Sequence, residues 1–288
     1  MPQRNSADAV LVIGATGNVG RQVVHQLLEA GATVRAMARN PNTAALPGDA
    51  EVVAGDLTDP ATVAAAAKGT RAAFLAWPFF TGEAAPAVLE ALRPDVRHVV
   101  YLSSAGADEA DGPVGFHYEL EQQITHSGLE WTFLRPSGFA TNTLGWADQI
   151  RQADVVRWPY GKASRSLIHE SDIAAVATAA LTGQGHAGKV YDLSGPEQLT
   201  QIEQVDAIGA AIGRKLHYED VSRERARREL LAEWPDEFAE GALDAWAELV
   251  TAPEPITTGV RDVIGRPPRT FREWAVDHAE DFRSERVG

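Results

Sequence analysis

The 288-residue chain has no cysteine, which excludes disulfides, thiolate metal sites and a cysteine nucleophile and fits a reducing compartment. It also has no apolar run near the roughly 20 residues a bilayer span needs, and its start, Met1 to Asp8, is short and polar. A cytoplasmic location without membrane contact is therefore expected. An excess of positive charge is missing as well. A formal net charge of −14 repels phosphate polymers, so nucleic acid is not an expected partner. The one basic run, Arg223, Arg225, Arg227 and Arg228, is interleaved with Glu224 and Glu229 and reads as a solvated helix face. No histidine spacing suggests a metal site, and His169 and Asp172 flank Ser171 at a helix start, where capping explains them.

With 44% hydrophobic residues, the chain can bury one large core or divide into a main domain and a smaller lobe. An apolar run at 10–13 leads into a glycine-rich loop, after which Val19, Val23, Val24, Leu27 and Leu28 recur at helical spacing. Strands then read at 33–38, 51–54, 72–76, 99–102 and 131–134, and helices at 60–67, 84–92 and 116–125. Residues 167–169 and 190–193 read as the last strands on the sheet side, with a helix after Ser171. Such alternation predicts a doubly wound, mainly parallel α/β sheet. After Pro196 the pattern turns helical, beginning with capping-box spacing at Thr200 and Glu203. The predicted organisation is a cofactor domain at 9–195 and a smaller, mostly helical lobe at 196–288, with 139–165 contributing to the lobe. Trp234, Trp246 and Trp274 read as its core anchors.

Glycines at 14, 17 and 20 let the backbone turn after the first strand, approach a pyrophosphate and pack the helix on the sheet. The free N–H groups at the helix start would face the anion. The spacing differs from the usual Gly-x-Gly-x-x-Gly, so the strand, loop, helix and second strand around it carry the reading of a Rossmann-type dinucleotide site. The second strand lacks the acidic residue that selects NAD by binding the ribose 2′-OH. It offers Arg35 and Arg39, on one face by strand alternation, and a guanidinium there suits a 2′-phosphate. Arg39, nearer the carboxyl end, is the better candidate, and NADP(H) the expected cofactor. After the third strand, Asp56 and Leu57 could hold adenine, or Asp56 could cap a turn ahead of the helix start at Asp59-Pro60.

In the order Gly14-Ala-Thr-Gly-Asn-Val-Gly20, Arg39-Asn-Pro41, Gly55-Asp-Leu57, Tyr101-Leu-Ser-Ser104, Ser127 to Pro136, His169 to Ala174 and Gly265 to Phe271, the chain resembles the NmrA-like branch of the atypical short-chain dehydrogenases/reductases. The resemblance spans almost the whole sequence. It implies an extended Rossmann domain, NADP(H), and a substrate cleft at the sheet's carboxyl edge beside the smaller lobe. By position, it assigns Gly14, Thr16, Gly17, Asn18 and Val19 to the pyrophosphate and Arg39 to the 2′-phosphate. Asp56 and Leu57 go to adenine, Ala76 and Trp77 to the ribose, and Pro136, Ser137, Gly138 and Phe139 to the nicotinamide. Ser103 and Ser104 follow a strand near that end, where they would bind or orient a ligand oxygen or only cap the turn.

The wider superfamily's Tyr-x-x-x-Lys, in which lysine activates the phenol, is absent: Tyr118 is followed four residues later by Gln122. Some reductases of this branch carry a lysine one position before the tyrosine, which here is His117. Histidine titrates near neutrality without tuning, so His117 is the first candidate acid and Tyr118 the second. Phe79, Phe80 and Trp146, with Trp77 and Phe139, are candidate walls of an apolar substrate site. The expected activity is NADPH-dependent reduction of a small quinone, enone or carbonyl compound. A non-catalytic NADP(H)-sensing regulator and a cofactor-retaining isomerase or epimerase are the alternatives, and a homodimer or a regulatory partner protein stays open.

Overall fold

Five consecutive apolar residues without one exposed position, Ala9–Ile13, form strand β1, the unbroken pattern of a strand covered on both faces. In the computed structural model, which describes residues 9–107, 114–231 and 234–283, the chain runs on through α1 (Asn18–Glu29), β2 (Val34–Ala38), β3 (Glu51–Ala54), α2 (Pro60–Ala67), β4 (Thr70–Ala76), α3 (Ala85–Leu92), β5 (His98–Leu102), α4 (Gly115–His126) and β6 (Glu130–Pro136). Then follow α5 (Ala147–Ala153), β7 (Val155–Trp158), β8 (Ser164–Arg165), α6 (Glu170–Thr182) and β9 (Lys189–Leu193). The last elements are β10 (Leu199–Thr200), α7 (Gln201–Ile212), β11 (His217–Asp220), α8 (Arg223–Leu230), α9 (Asp236–Glu248), α10 (Gly259–Ile264) and α11 (Phe271–Asp277). No helix among the described residues is long and apolar enough to cross a membrane.

The α/β expectation is borne out by a seven-stranded sheet in the order β3-β2-β1-β4-β5-β6-β9, with every neighbouring pair parallel. The order reverses direction between β1 and β4, so their carboxyl ends form a topological switch point, where ligands of such sheets bind. Asp59 caps α2 with its side chain, ahead of Pro60 in the first turn, and Thr200 with Glu203 forms the capping box of α7. Residues 167–169, read from sequence as a strand of this sheet, make only one bridge, Ile168 to Phe139. The apolar run is short, and it is held elsewhere: Gly195 N–H donates to the Ser166 carbonyl and Ile168 N–H to that of Gly138.

The described residues divide into two compact units, the first drawn from 9–107, 114–136, 170–193 and 262–265 and the second from 137–169, 194–231, 234–261 and 266–283. The first holds the sheet and a core that includes Leu11, Leu75, Leu89, Val99, Tyr101, Leu120 and Phe133. The second has its own core, in which Trp274 is fully buried with Phe271, Phe282, Ile150 and Trp146. Trp158 and the half-buried Trp234 and Trp246 pack on a satellite cluster of Ala226, Leu230, Ala239 and Leu243. Two ribbons missed by sequence reading, β7 with β11 and β8 with β10, belong to this unit. The basic run lies on α8, where Arg223 and Arg227 both pair with Glu240 of α9.

One contact fixes the start of the fold. A Cβ on Gly20 would lie 2.0 Å from the Gly14 carbonyl oxygen and 2.7 Å from its carbon, so α1 packs on the β1 turn only with glycine there. Gly20→Ala is therefore expected to shift backbone at a cost of about 1–3 kcal/mol, as overpacking does. Urea denaturation should show this, with dinucleotide affinity falling alongside.

Candidate cofactor and substrate site

At the carboxyl end of β1 the chain turns through Gly14 at φ +81°, a conformation that favours glycine. A Cβ there would also press to 2.8 Å from the Ala76 side chain, which places Ala76, at the end of β4, directly beside the loop. Thr16, Gly17 and Asn18 are exposed. No side chain caps α1 at Gly17, and the N–H groups of Asn18 and Val19 find no acceptor among the described residues. Unsatisfied N–H groups at an exposed helix start form an anion site, so the loop fits a pyrophosphate.

The two arginines of β2 separate cleanly. Arg35 is committed: its guanidinium donates to Glu51 at 2.8 Å and to the carbonyls of Ala66 and Lys68 at 3.0 and 2.6 Å. Arg39 is exposed and makes no hydrogen bond or ion pair among the described residues. Arg21, which sequence reading missed, ties the loop to the segment after β2, donating to the carbonyls of Thr16 and Ala45 at 3.0 and 2.8 Å. Asp56 uses Oδ1 to accept from the N–H and hydroxyl of Thr58 at 2.9 and 2.8 Å. Those bonds, with Arg39 nearby, hold its carboxyl below the usual range, so it does cap a turn. Leu57 is 7% exposed and belongs to the core.

Beyond β4 the chain lays down aromatic rings. Trp77 donates its indole N–H to the Thr81 carbonyl at 2.8 Å and meets Phe79 edge-on at 5.3 Å between centroids. A Cβ at Gly82 would touch Glu119 and Gln123 side-chain atoms of α4, and this close approach brings Phe80 to 6.0 Å from Phe116. Phe116 in turn lies 4.2 Å from the His117 ring. Trp77 with Phe79, and Phe80 with Phe116 and His117, thus form two neighbouring ring groups beyond β4, and Trp77, Phe79 and Phe116 pack on the same core. Tyr118 is half-buried on the same helix turn, and Gln122 is exposed.

Buried polar groups behind this surface were not visible in the sequence. Glu121, 3% exposed, receives two hydrogen bonds from Arg135 of β6, at 3.0 and 2.6 Å, and one from Ser103 at 2.6 Å. Ser103 is therefore turned inward, its hydroxyl occupied, and a direct ligand bond from that hydroxyl is not what the geometry offers. Tyr101 is fully buried, and its hydroxyl lies 2.5 Å from Nδ1 of His117. Burial pushes the His117 ring down to about 4, so the sequence expectation of a histidine titrating near neutrality does not survive the fold.

The remaining candidates, apart from Pro136 at the end of β6, lie in the second unit. Ser137 donates to the Ser166 carbonyl at 2.7 Å. Gly138 donates its N–H to Glu254 at 3.2 Å, and a Cβ there would collide with the Arg165 guanidinium at 2.3 Å. Glu254 also accepts from Arg165 at 3.1 Å, so this pair, absent from the sequence reading, shapes the 136–139 turn. Phe139 is half-buried. Trp146, expected beside substrate, is 5% exposed within the core, where packing accounts for it. No group of three or more histidines and carboxylates among the described residues is placed to hold a metal.

A parallel sheet with a glycine loop and free helix-start N–H groups at its switch point defines a dinucleotide-binding Rossmann protein. Comparison with known proteins narrows this: the NAD(P)H-binding family model matches residues 14–184, and the chain belongs to that family, in its NmrA-like atypical short-chain dehydrogenase/reductase branch. It is 40% identical over 282 residues to a (4-alkanoyl-5-oxo-2,5-dihydrofuran-3-yl)methyl phosphate reductase of Streptomyces griseus, covering 96% of this chain and 100% of that one. It is 35% identical to an NAD(P)H azoreductase of Xenophilus azovorans, covering 95% and 99%. Among solved structures, an NADPH-dependent quinone oxidoreductase of Escherichia coli superposes with a TM-score of 0.76 at 25% identity, over 93% of this chain and 98% of that one.

The buried imidazole sets a pH signature. Its value drops from 6.5 to about 4 in the folded state, so between those values the unfolded chain holds a proton that the folded chain lacks. This contribution makes stability rise with pH across that window, and it is lost as pH falls from 6.5 toward 4. Chemical denaturation of wild type and His117→Gln at both ends of the window checks this: the variant should lose less stability on acidification.

Proposed function

We infer that the protein is an NADPH-dependent reductase acting on a carbon–carbon double bond conjugated to a carbonyl in a small, mostly apolar substrate, a class that includes quinones and acyl-substituted unsaturated lactones. The observation that carries the reading is the aromatic surface of Trp77, Phe79, Phe80 and Phe116 meeting His117 at the sheet's carboxyl edge. The Streptomyces relative supports the choice of acceptor, since the dihydrofuranone in its name carries an alkanoyl group beside the ring carbonyl.

Bound NADPH supplies the hydride. The N–H groups of Asn18 and Val19 would hold its pyrophosphate, with Gly14, Thr16 and Gly17 permitting the approach, and Arg39 its 2′-phosphate. Ala76 and Trp77 would lie along the ribose, with Asp56 at the adenine and Pro136 at the nicotinamide. The aromatic rings would bind the flat face of the acceptor and keep water from it. A conjugated acceptor of this kind suits a chain without the activated tyrosine, because its carbonyl spreads the incoming charge.

Reduced-nicotinamide absorbance, followed with quinones, alkanoyl butenolides, azo compounds and simple ketones, tests the activity. Oxidation with the first two and little with simple ketones is expected; tight NADPH binding with no turnover of any acceptor refutes the reading. Arg39→Ala is expected to weaken NADPH binding about 10-fold to about 100-fold, since hydrogen bonds to a charged group contribute about 1.5–3 kcal/mol. NADH binding should change little. Arg35→Ala should lower stability and leave the cofactor preference intact, and fluorescence titration of both variants separates the two roles.

A further inference from the structure

Tyr101 and His117 make an arrangement that the reductase reading leaves unused. The phenol is fully buried in β5, and Nδ1 of His117 is its one hydrogen-bond partner among the described residues. A buried hydroxyl with one partner donates to it, because an O–H left without an acceptor is costly in a dry interior. Burial and the neighbouring Glu121 carboxylate both push the phenol's own ionisation up, so the proton stays on the Tyr101 oxygen. Nδ1 must then present its lone pair, and a neutral ring carries its hydrogen on Nε2. Nε2 makes no hydrogen bond among the described residues.

The charged groups of α4 nearest this pair in chain terms are Glu119, two residues on and exposed, and Glu121, one helical turn on and matched by Arg135 from β6. Desolvation is the cause resolved for the lowered His117 value, with no carboxylate holding the ring charged. The packed neighbours Phe116 from α4 and Tyr101 from β5 contribute rings.

We propose that Tyr101 is a positioning residue that fixes His117 as the neutral Nε2–H tautomer, and that Nε2–H donates a hydrogen bond to the substrate carbonyl oxygen without giving up its proton. The second half rests on the reductase reading. Hydride adds to the carbon β to the carbonyl, the π electrons of the double bond move toward the carbonyl, and the resulting enolate oxygen accepts the bond from Nε2–H. Water then protonates the α-carbon, and the hydroxide left behind is taken up by buffer. One hydride and one proton have added across the double bond, and His117 ends as it began. A fixed donor of this kind stabilises developing charge as an oxyanion hole does. A neutral ring suits it because loss of a proton from neutral imidazole would leave an anion in a buried site.

The test joins spectroscopy of the unliganded protein to kinetics. In ¹⁵N-histidine-labelled protein, with His117 assigned by its loss in His117→Gln, long-range ¹H–¹⁵N spectra should show a pyridine-like Nδ1 and a pyrrole-like Nε2. Both should stay constant from about pH 5 to about pH 8, where an ordinary histidine changes charge. Tyr101→Phe should shift Nδ1 toward the value of a lone pair without a donor. In turnover, His117→Leu should lose about 100-fold to about 1,000-fold in kcat, the effect of removing an oxyanion donor, whereas His117→Gln, whose amide can donate but cannot act as an acid, should stay within about tenfold of wild type on the same scale. A protonated Nδ1, or a ring titrating near 6.5, overturns the tautomer assignment. Equal losses in the Gln and Leu variants overturn hydrogen-bond donation in favour of proton transfer. Absence of turnover with every acceptor sinks the donor half together with the reductase reading, while the spectra still decide the role of Tyr101.

Discussion

The approach of Gly20 to the Gly14 carbonyl is the constraint on which the cofactor site depends. With no Cβ at position 20, α1 can start against the end of β1, and its first N–H groups are then left at an exposed loop with nothing among the described residues to accept them. The same turn sets Gly14 against Ala76, so the loop and the end of β4 are placed together by sterics. One backbone contact that tolerates no side chain thus sets an exposed helix start and the end of β4 together at the switch point that the strand order creates.

The other end of the site depends on what burial does to polar groups. Glu121, Arg135 and Ser103 satisfy one another behind the surface, which anchors α4 across β5 and β6. That anchor holds the helix turn carrying His117, and the same burial that orders the ring also keeps it neutral. Desolvation thus holds a residue that free in water would be a pH-sensitive acid toward its neutral form. The chain's departure from a tyrosine activated by lysine fits this: both superfamily devices that carry positive charge into the site are absent, and the acceptor class inferred here has the least need of them.

Much of this was legible in the sequence for identifiable reasons. Strands covered on both faces read as continuous apolar runs, so β1, β4, β5 and β6 stood out, and the glycine spacing marked the loop. Strand alternation put Arg35 and Arg39 on one face, but only the fold reveals that Glu51, 16 residues away, takes up Arg35. Residues 167–169 misled because two apolar residues and a histidine carry no record of their partner. Tyr101 with His117, Glu121 with Arg135 and Arg165 with Glu254 were invisible for the same reason: the cost of burying each group depends on a partner at long range, which local periodicity does not encode. Trp146 shows the converse, an aromatic residue whose type suits a substrate wall and whose position makes it core.

The central claim, hydride transfer to the β-carbon of a conjugated acceptor with the α-proton drawn from water, is tested most directly by isotope tracing. NADPH bearing deuterium at the transferable position is used to reduce an alkanoyl butenolide in ordinary water, and the product is examined by mass spectrometry and NMR. For the butenolide, the account predicts one deuterium per product at the β-carbon and hydrogen at the α-carbon. Deuterium at the α-carbon, or reduced product without any deuterium, would contradict it.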